Sequence, residues 1–271
     1  MIIGKAISPF ALRKKNGGGG NDPDAQAFIT ATGISGTNAT ATNKLVIDLK
    51  AANIWTKMKA VYPFVGGTSA FTHKFNLKDP RDLDAAYRLT FFGGGTFSAN
   101  GYQPNGTNSY ANTFFNPSVN GMSLNSAYIS YYSRTNTSAY MVEMGNYDAV
   151  TLSSTLLLLR NVNTATIRMN NLTNIDYSNT DSLGFHATNR TASNVVTGWK
   201  NGIKKITSAV ASTVLPTNPI YIGAFRDGDT PNYYSSKQCA FASIGDGLTD
   251  AEALAYYNAV QLFNTTLGRQ V

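Results

Sequence analysis

The sequence predicts a mainly β fold: an antiparallel two-sheet sandwich with two N-terminal helices and a short C-terminal helix. Three observations carry that expectation. Asn and Thr, 28 and 30 residues, stand where charges are scarce, with only 14% of the chain charged. Thr suits the crowded surface of a strand, and Asn with Gly suits the turns between strands. From residue 87 onward, β-prone runs recur every 8–15 positions, as they do in sandwiches. Residues 195–206, VVTGWKNGIKKI, set Asn201-Gly202 between two such runs. A two-residue type I′ turn needs positive φ at both central positions, which Asn and Gly supply.

The chain opens on MIIGKAISPFALRKKNGGGGN (1–21), which holds Lys5, Arg13, Lys14 and Lys15 and no acid. The net charge of +7 therefore divides into +4 here and +3 over the other 250 residues (18 basic, 15 acidic). A nearly neutral body is a poor match for nucleic acid. No apolar run approaches the roughly 20 residues that a bilayer span requires. The charges follow the apolar stretch and Pro9 interrupts it, unlike a signal peptide. Ile2, Ile3, Phe10 and Leu12 supply apolar anchors, Arg13, Lys14 and Lys15 a cationic end, and glycines 17–20 a swivel. The segment is therefore expected to be a docking peptide.

Asp22-Pro23 opens a first helix, with Asp22 as N-cap and Pro23 in the first turn, ending near Gly33. A second is expected over 42–59, where Leu45, Leu49, Ala52, Trp55 and Met58 recur at helical spacing. Trp55 lies on that stripe and is expected in the core, not as a ligand platform. Residues 22–60 are thus expected to pack as a helical segment on a sandwich formed by 61–271. Asp79, Arg81, Asp82, Asp84 and Arg88 alternate in sign around Asp79-Pro80, which predicts local ion pairs before catalysis. Strands are expected over 127–133, 140–144, 151–160, 165–169 and 182–187, with Ile129 and Tyr131 sharing a face of the first. The run Leu156, Leu157, Leu158, Leu159 fits a buried strand or a helical turn, since it has no period. At the end, Thr249 with Glu252 three residues on forms a capping box. Ala253, Tyr256, Val260 and Phe263 make the inner stripe of that helix, and Gly268 follows it.

The order of the late elements resembles the ending of concanavalin A-like and laminin G-like jelly-roll domains. The matching residues are Trp199, Asn201, Gly202 and Lys204, then Ile220, Ile222 and Gly223, then Leu248, Thr249 and Glu252. A more specific resemblance runs from Asp22 to Val271. DPDAQAF (22–28), WTKMKA (55–60), YPFVGGT (62–68), HKFNLKDPRDLDAAYRL (73–89) and LGRQV (267–271) stand here as they do in a module of bacteriophage virion proteins. That resemblance implies a non-enzymatic virion structural protein without cofactor: a head fibre, spike or decoration assembled in the bacterial host cytoplasm. Its implied partners are capsid or tail proteins, met through residues 1–20, and further copies of itself, for instance as a trimer.

Some enzymes on that jelly roll are β-glucanases with E-x-D-x-x-E on one strand. The spacing puts two glutamates on one face, about 5 Å apart. This chain has only Glu143 and Glu252. Glu252 is expected to cap a helix, and Asp148, five residues beyond Glu143, falls on the opposite face of a regular strand. No G-x-S-x-G, H-E-x-x-H or Walker-type loop is present. His73 and His186 are the only histidines, with no Cys pair beside them, so no metal site is expected. Asp227 and Asp229 in RDGDTPN read as turn residues before they read as calcium ligands. Cys239, the single cysteine, sits in the apolar QCAFASI, excludes an internal disulfide and is expected buried and inert. The alternative function is recognition of host-surface glycans, whose CH faces stack on rings while amides and carboxylates bind their hydroxyls. Tyr233 and Tyr234 beside Asn232, Asp227 and Asp229 would serve, as would Tyr102 with Asn105 and Asn108.

Overall fold

The computed structural model describes residues 20–271, so the expected docking residues Ile2, Ile3, Phe10, Leu12, Arg13, Lys14 and Lys15 lie outside the described residues. Helix α1 (Pro23–Thr32) is capped as its sequence requires. The Asp22 side chain accepts from the Asp24 amide at 3.0 Å, and Gly33 closes the helix at φ 69°. Helix α2 (Gly36–Ala51) starts and stops earlier than the apolar stripe predicts. Asn53 takes φ 58°, a conformation Asn tolerates better than most residues, and the helix cannot continue through it. Trp55 therefore lies in a short 3₁₀ turn (Trp55–Lys57) and Met58 opens strand β1 (Met58–Tyr62). Leu45, Leu49, Trp55 and Met58 still reach one core, so the stripe recorded burial correctly and secondary structure incorrectly. A single turn, α3 (Ala70–His73), follows.

The strands are β2 (Thr90–Phe92), β3 (Thr96–Ser98), β4 (Gly101–Gln103), β5 (Tyr110–Asn112), β6 (Ala127–Ser133), β7 (Met144–Asp148), β8 (Ser153–Asn161) and β9 (Thr164–Asn171). They continue with β10 (Ile175–Ser178), β11 (Gly184–Ala192), β12 (Val195–Lys200), β13 (Ile203–Ser208), β14 (Tyr221–Ile222), β15 (Phe225–Asp227), β16 (Thr230–Asn232) and β17 (Cys239–Gly245), before helix α4 (Asp250–Thr266). One sheet runs β13-β12-β11-β6-β17-β4-β3 with β1 beside β17. The other runs β10-β9-β8-β7-β14-β5-β2, extended by β15 on β7 and β16 on β15. Pairing is antiparallel throughout these paths, and β15 joins β7 in parallel. The fold is a two-sheet antiparallel jelly-roll sandwich with helices, as the sequence predicts. At the β12–β13 turn Asn201 and Gly202 both have positive φ, 47° and 75°.

Alternation along β6 shows how the layers form. Ile129 and Tyr131 point between the sheets, while Tyr128 and Tyr132 point outward, onto a second core shared with the helices. That second core joins Phe28 of α1, Leu45 and Leu49 of α2, and Tyr256, Val260 and Phe263 of α4 to Phe185 and Phe241 of the first sheet. The molecule thus has three layers: helices, first sheet, second sheet. The four leucines of β8 settle their own ambiguity. Leu157 and Leu159 enter the core between the sheets, whereas Leu156 and Leu158 lie on the outer face of the second sheet. No helix among the described residues is long and apolar enough to cross a membrane.

Candidate functional site

The helices cover the outer face of the first sheet; among the described residues none covers that of the second. On this open face Leu156 and Leu158 of β8 join Val142 and Phe225 in a small apolar cluster, with Tyr147 of β7 against it. Gly145 is the β7 residue opposite Phe225; a Cβ there would clash with the Thr155 carbonyl of β8 and meet the Phe225 ring at 3.1 Å. Arg168 projects from β9 on the same side. Around the cluster, Tyr140, Tyr147, Phe225 and Tyr233 with Arg168 and Asp227 line a depression of about 200 Å³, room for a single sugar ring. Tyr140 and Tyr233 meet edge to face at 5.3 Å and are 60% and 44% exposed, so their rings are offered to solvent.

Tyr233 is held there by its backbone. Its φ is 50°, uncommon for a bulky residue, and its carbonyl accepts from the Val142 amide at 2.9 Å. Two residues on, the Ser235 hydroxyl donates to Glu143 Oε1 at 3.0 Å, and Lys237 Nζ reaches the same oxygen at 2.8 Å. The other Glu143 oxygen accepts from the Leu159 amide at 2.7 Å. Glu143 and Lys237 are both fully buried, so this acid anchors the Tyr233 segment to β8 from beneath. It has no access to a substrate. Glu252 completes the capping box with Thr249 and pairs with Lys57 at 2.6 Å. Neither glutamate belongs to the depression, and Asp227 is the one carboxylate that lines it.

The expected glycan residues divide. Tyr233 and Asp227 line the depression, and Asn232 donates to Asp227 Oδ2 at 3.1 Å. RDGDTPN is a tight β15–β16 hairpin, not an open loop, with Gly228 at φ 58°. At its tip Asp229 is fully exposed and engaged by Arg226 at 3.1 Å. Tyr234 turns the other way, 6.4 Å from Tyr110, into a separate aromatic row in which Tyr110 stacks between Phe92 and Tyr221 at 4.8 and 4.6 Å. The other expected patch is not at the surface. Tyr102 is fully buried between the sheets against Phe64, Phe91 and Phe97, because Gly101 and the strand around it pair directly with β17. Asn105 spends its side chain on its own loop, accepting from the amides of Thr107, Asn108 and Ser109.

Tyr140, Tyr147, Arg168 and Phe225 were not singled out by sequence. The usable signal was alternation: with Met144 and Ile167 facing inward, Tyr147 and Arg168 must face outward.

Other titratable groups are structural. His73 is buried and donates from Nε2 to the Gly67 carbonyl (2.9 Å); burial, with Arg269 nearby, pushes its pKa down to about 4. Burial pushes His186 down to about 3, so both imidazoles are neutral near pH 7. Burial likewise pushes the Cys239 thiol up. Asp79, Asp82 and Asp84 pair with Arg81 and Arg88 at 2.5–2.9 Å, the local ion pairs their spacing predicts. Among the described residues no three His, Cys, Asp or Glu side chains gather as a metal cluster would.

No family model matches the chain, and no curated protein matches it. Among solved structures it is similar to the binding domain of botulinum neurotoxin serotype D (11% identity, 76% of this chain and 52% of that one, TM-score 0.48). It is similar to domain 4 of AbnA, a GH43 extracellular arabinanase from Geobacillus stearothermophilus solved with arabinotriose (14% identity, 74% and 98% covered, TM-score 0.46). It is also similar to the CBM40 of the Ruminococcus gnavus IT-sialidase (14% identity, 49% and 83% covered, TM-score 0.38).

Proposed function

We propose that this chain is a non-catalytic glycan-binding module whose ligand lies in the aromatic depression of the open sheet face. The observation that carries the reading is the pair of solvent-facing rings, Tyr140 and Tyr233, set over a concave site that also presents Asp227 and Arg168. Rings take the CH face of a sugar, and the two charged groups take its hydroxyls. A single lining carboxylate cannot perform the two-carboxylate hydrolysis of a glycosidic bond, whose acid and base or nucleophile are separate groups. A glycan array with the full chain tests this. At least one glycan should bind, and Tyr233→Ala and Tyr140→Ala should each weaken it about tenfold or more without moving the unfolding midpoint, since both rings are exposed. Undiminished binding by the double variant would sink the site, and an array without any bound glycan would sink the reading.

A second reading rests on the motif order from Asp22 to Val271 and on the charge gathered in residues 1–21. Residues 1–20 dock a homo-oligomer on the capsid or tail proteins of a virion, and the sandwich projects as a head fibre, spike or decoration. The two readings are compatible, since a projecting lectin would meet host-surface glycan. Deleting residues 1–20 should leave the protein absent from purified particles; normal incorporation of the truncated chain would reject the docking role.

A further inference from the structure

We infer that the sugar taken by this depression carries a carboxylate, and that Arg168 is its anchor. The inference rests on the glycan reading and goes further than it. Arginines normally spend their forks. Among the described residues, Arg81 and Arg88 put a terminal nitrogen on Asp79 and Asp82, Arg134 on Gln238 and Arg160 on Asn136. Arg226 reaches Tyr221 and Asp229, and the buried Arg190 and Arg269 reach backbone carbonyls. Among the described residues Arg168 alone engages only its inner nitrogen: Nε donates to Asn174 Oδ1 at 2.7 Å, and neither Nη has a partner there. Among the described residues no carboxylate stands within ion-pair distance of it, although Asp227 lines the same depression.

The physical consequence is direct. Arg168 is half-buried, and burial disfavours its charge. A partly desolvated cation with its two outer donors open and its inner donor fixed is a preorganised fork for a planar, two-oxygen anion. Asp227, held apart from Arg168, accepts from hydroxyls, and the rings take the apolar face. A neutral sugar would leave both outer nitrogens without an anionic partner, since the Asp176 carboxylate acts on the cation only from beyond ion-pair distance. A carboxylated sugar satisfies all three elements at once. The carboxylate can come from a uronic acid within a polymer or from a terminal sialic acid; the chemistry at Arg168 is the same.

The test is calorimetric titration of the full chain with trigalacturonate and its methyl ester, and with sialyllactose and lactose. One of the acids should bind about tenfold or more tightly than its uncharged counterpart, as a charge-assisted pair predicts. That preference should shrink with added salt, disappear in Arg168→Gln and survive in part in Arg168→Lys; a preference of undiminished size in Arg168→Gln would overturn the anchor. The ester comparison needs no variant, so it remains decisive even if Arg168→Gln misfolds. Ester and lactose binding as tightly as the acids overturns the carboxylate assignment and leaves glycan binding standing. Binding of none of the four, with a glycan array also blank, overturns both.

Discussion

Glu143 and Lys237 lie 2.8 Å apart with no solvent access, and the acid's other oxygen holds the Leu159 amide. Removing one charge strands the other in the interior, which costs about 3–5 kcal/mol. Glu143→Gln should therefore lower stability by about that amount in urea unfolding, and it should loosen the Tyr233 segment that the pair anchors. A residue serving as a surface acid would show almost no loss. Asp148 behaves differently. Burial opposes its ionisation, but the Thr217 hydroxyl and amide and the Val150 amide overcome this and hold its carboxyl well below the usual range. The folded state therefore prefers the ionised form more strongly than the unfolded chain does. That stabilisation is complete above about pH 4 and drains away as pH falls toward the folded value. Asp148→Asn should cost about 1–3 kcal/mol at neutral pH and should flatten the acid limb of the stability profile. An unchanged limb would contradict the assignment. Sequence could say that Glu143 lacked a partner glutamate, but not that its partner is a lysine nearly a hundred positions on. Local spacing carries no trace of such pairs.

Elements built on short-range rules were legible. Asn201-Gly202 makes the turn its dipeptide predicts, and Thr249 with Glu252 makes the capping box. The turn is also pinned from outside: a Cβ on Gly202 would lie 2.5 Å from the Tyr257 ring of α4. Gly202→Ala should thus combine backbone strain with a clash, costing about 1–3 kcal/mol; a neutral result in thermal unfolding would mean that the hairpin tip does not bear on the helix. Where several rules competed, reading failed in identifiable ways. The apolar stripe through Leu45, Leu49, Trp55 and Met58 reports a shared core, yet it crosses from helix to 3₁₀ turn to strand at Asn53. The candidate strand at 140–144 begins at Met144, leaving Tyr140 on the rim of the depression. Strands of two or three residues such as β14, β15 and β16 are too short for alternation to reveal, and β15 supplies Phe225 and Asp227. Phe225 was hidden for that reason.

At the scale of the molecule, the chain's end is a clasp. Arg269 is buried and donates to the carbonyls of Pro63, Phe64 and Ala240 at 2.6–2.7 Å and to Asn264 at 2.8 Å. It ties the end of α4 to β17 and to the segment after β1. Arg269→Ala would orphan several buried carbonyls and should cost about 3–5 kcal/mol, moving the urea midpoint without changing its slope; a surface-like loss of a few tenths would refute the clasp. Nothing in LGRQV by itself announces this, because its partners lie up to 206 positions away. The layering has one more implication. Gly20 feeds α1, which belongs to the helical layer, and the tyrosine-rimmed hollow is two sheets away from it. A molecule tethered by its leading segment would stand with its back to the support, and its hollow would look toward whatever approaches from outside.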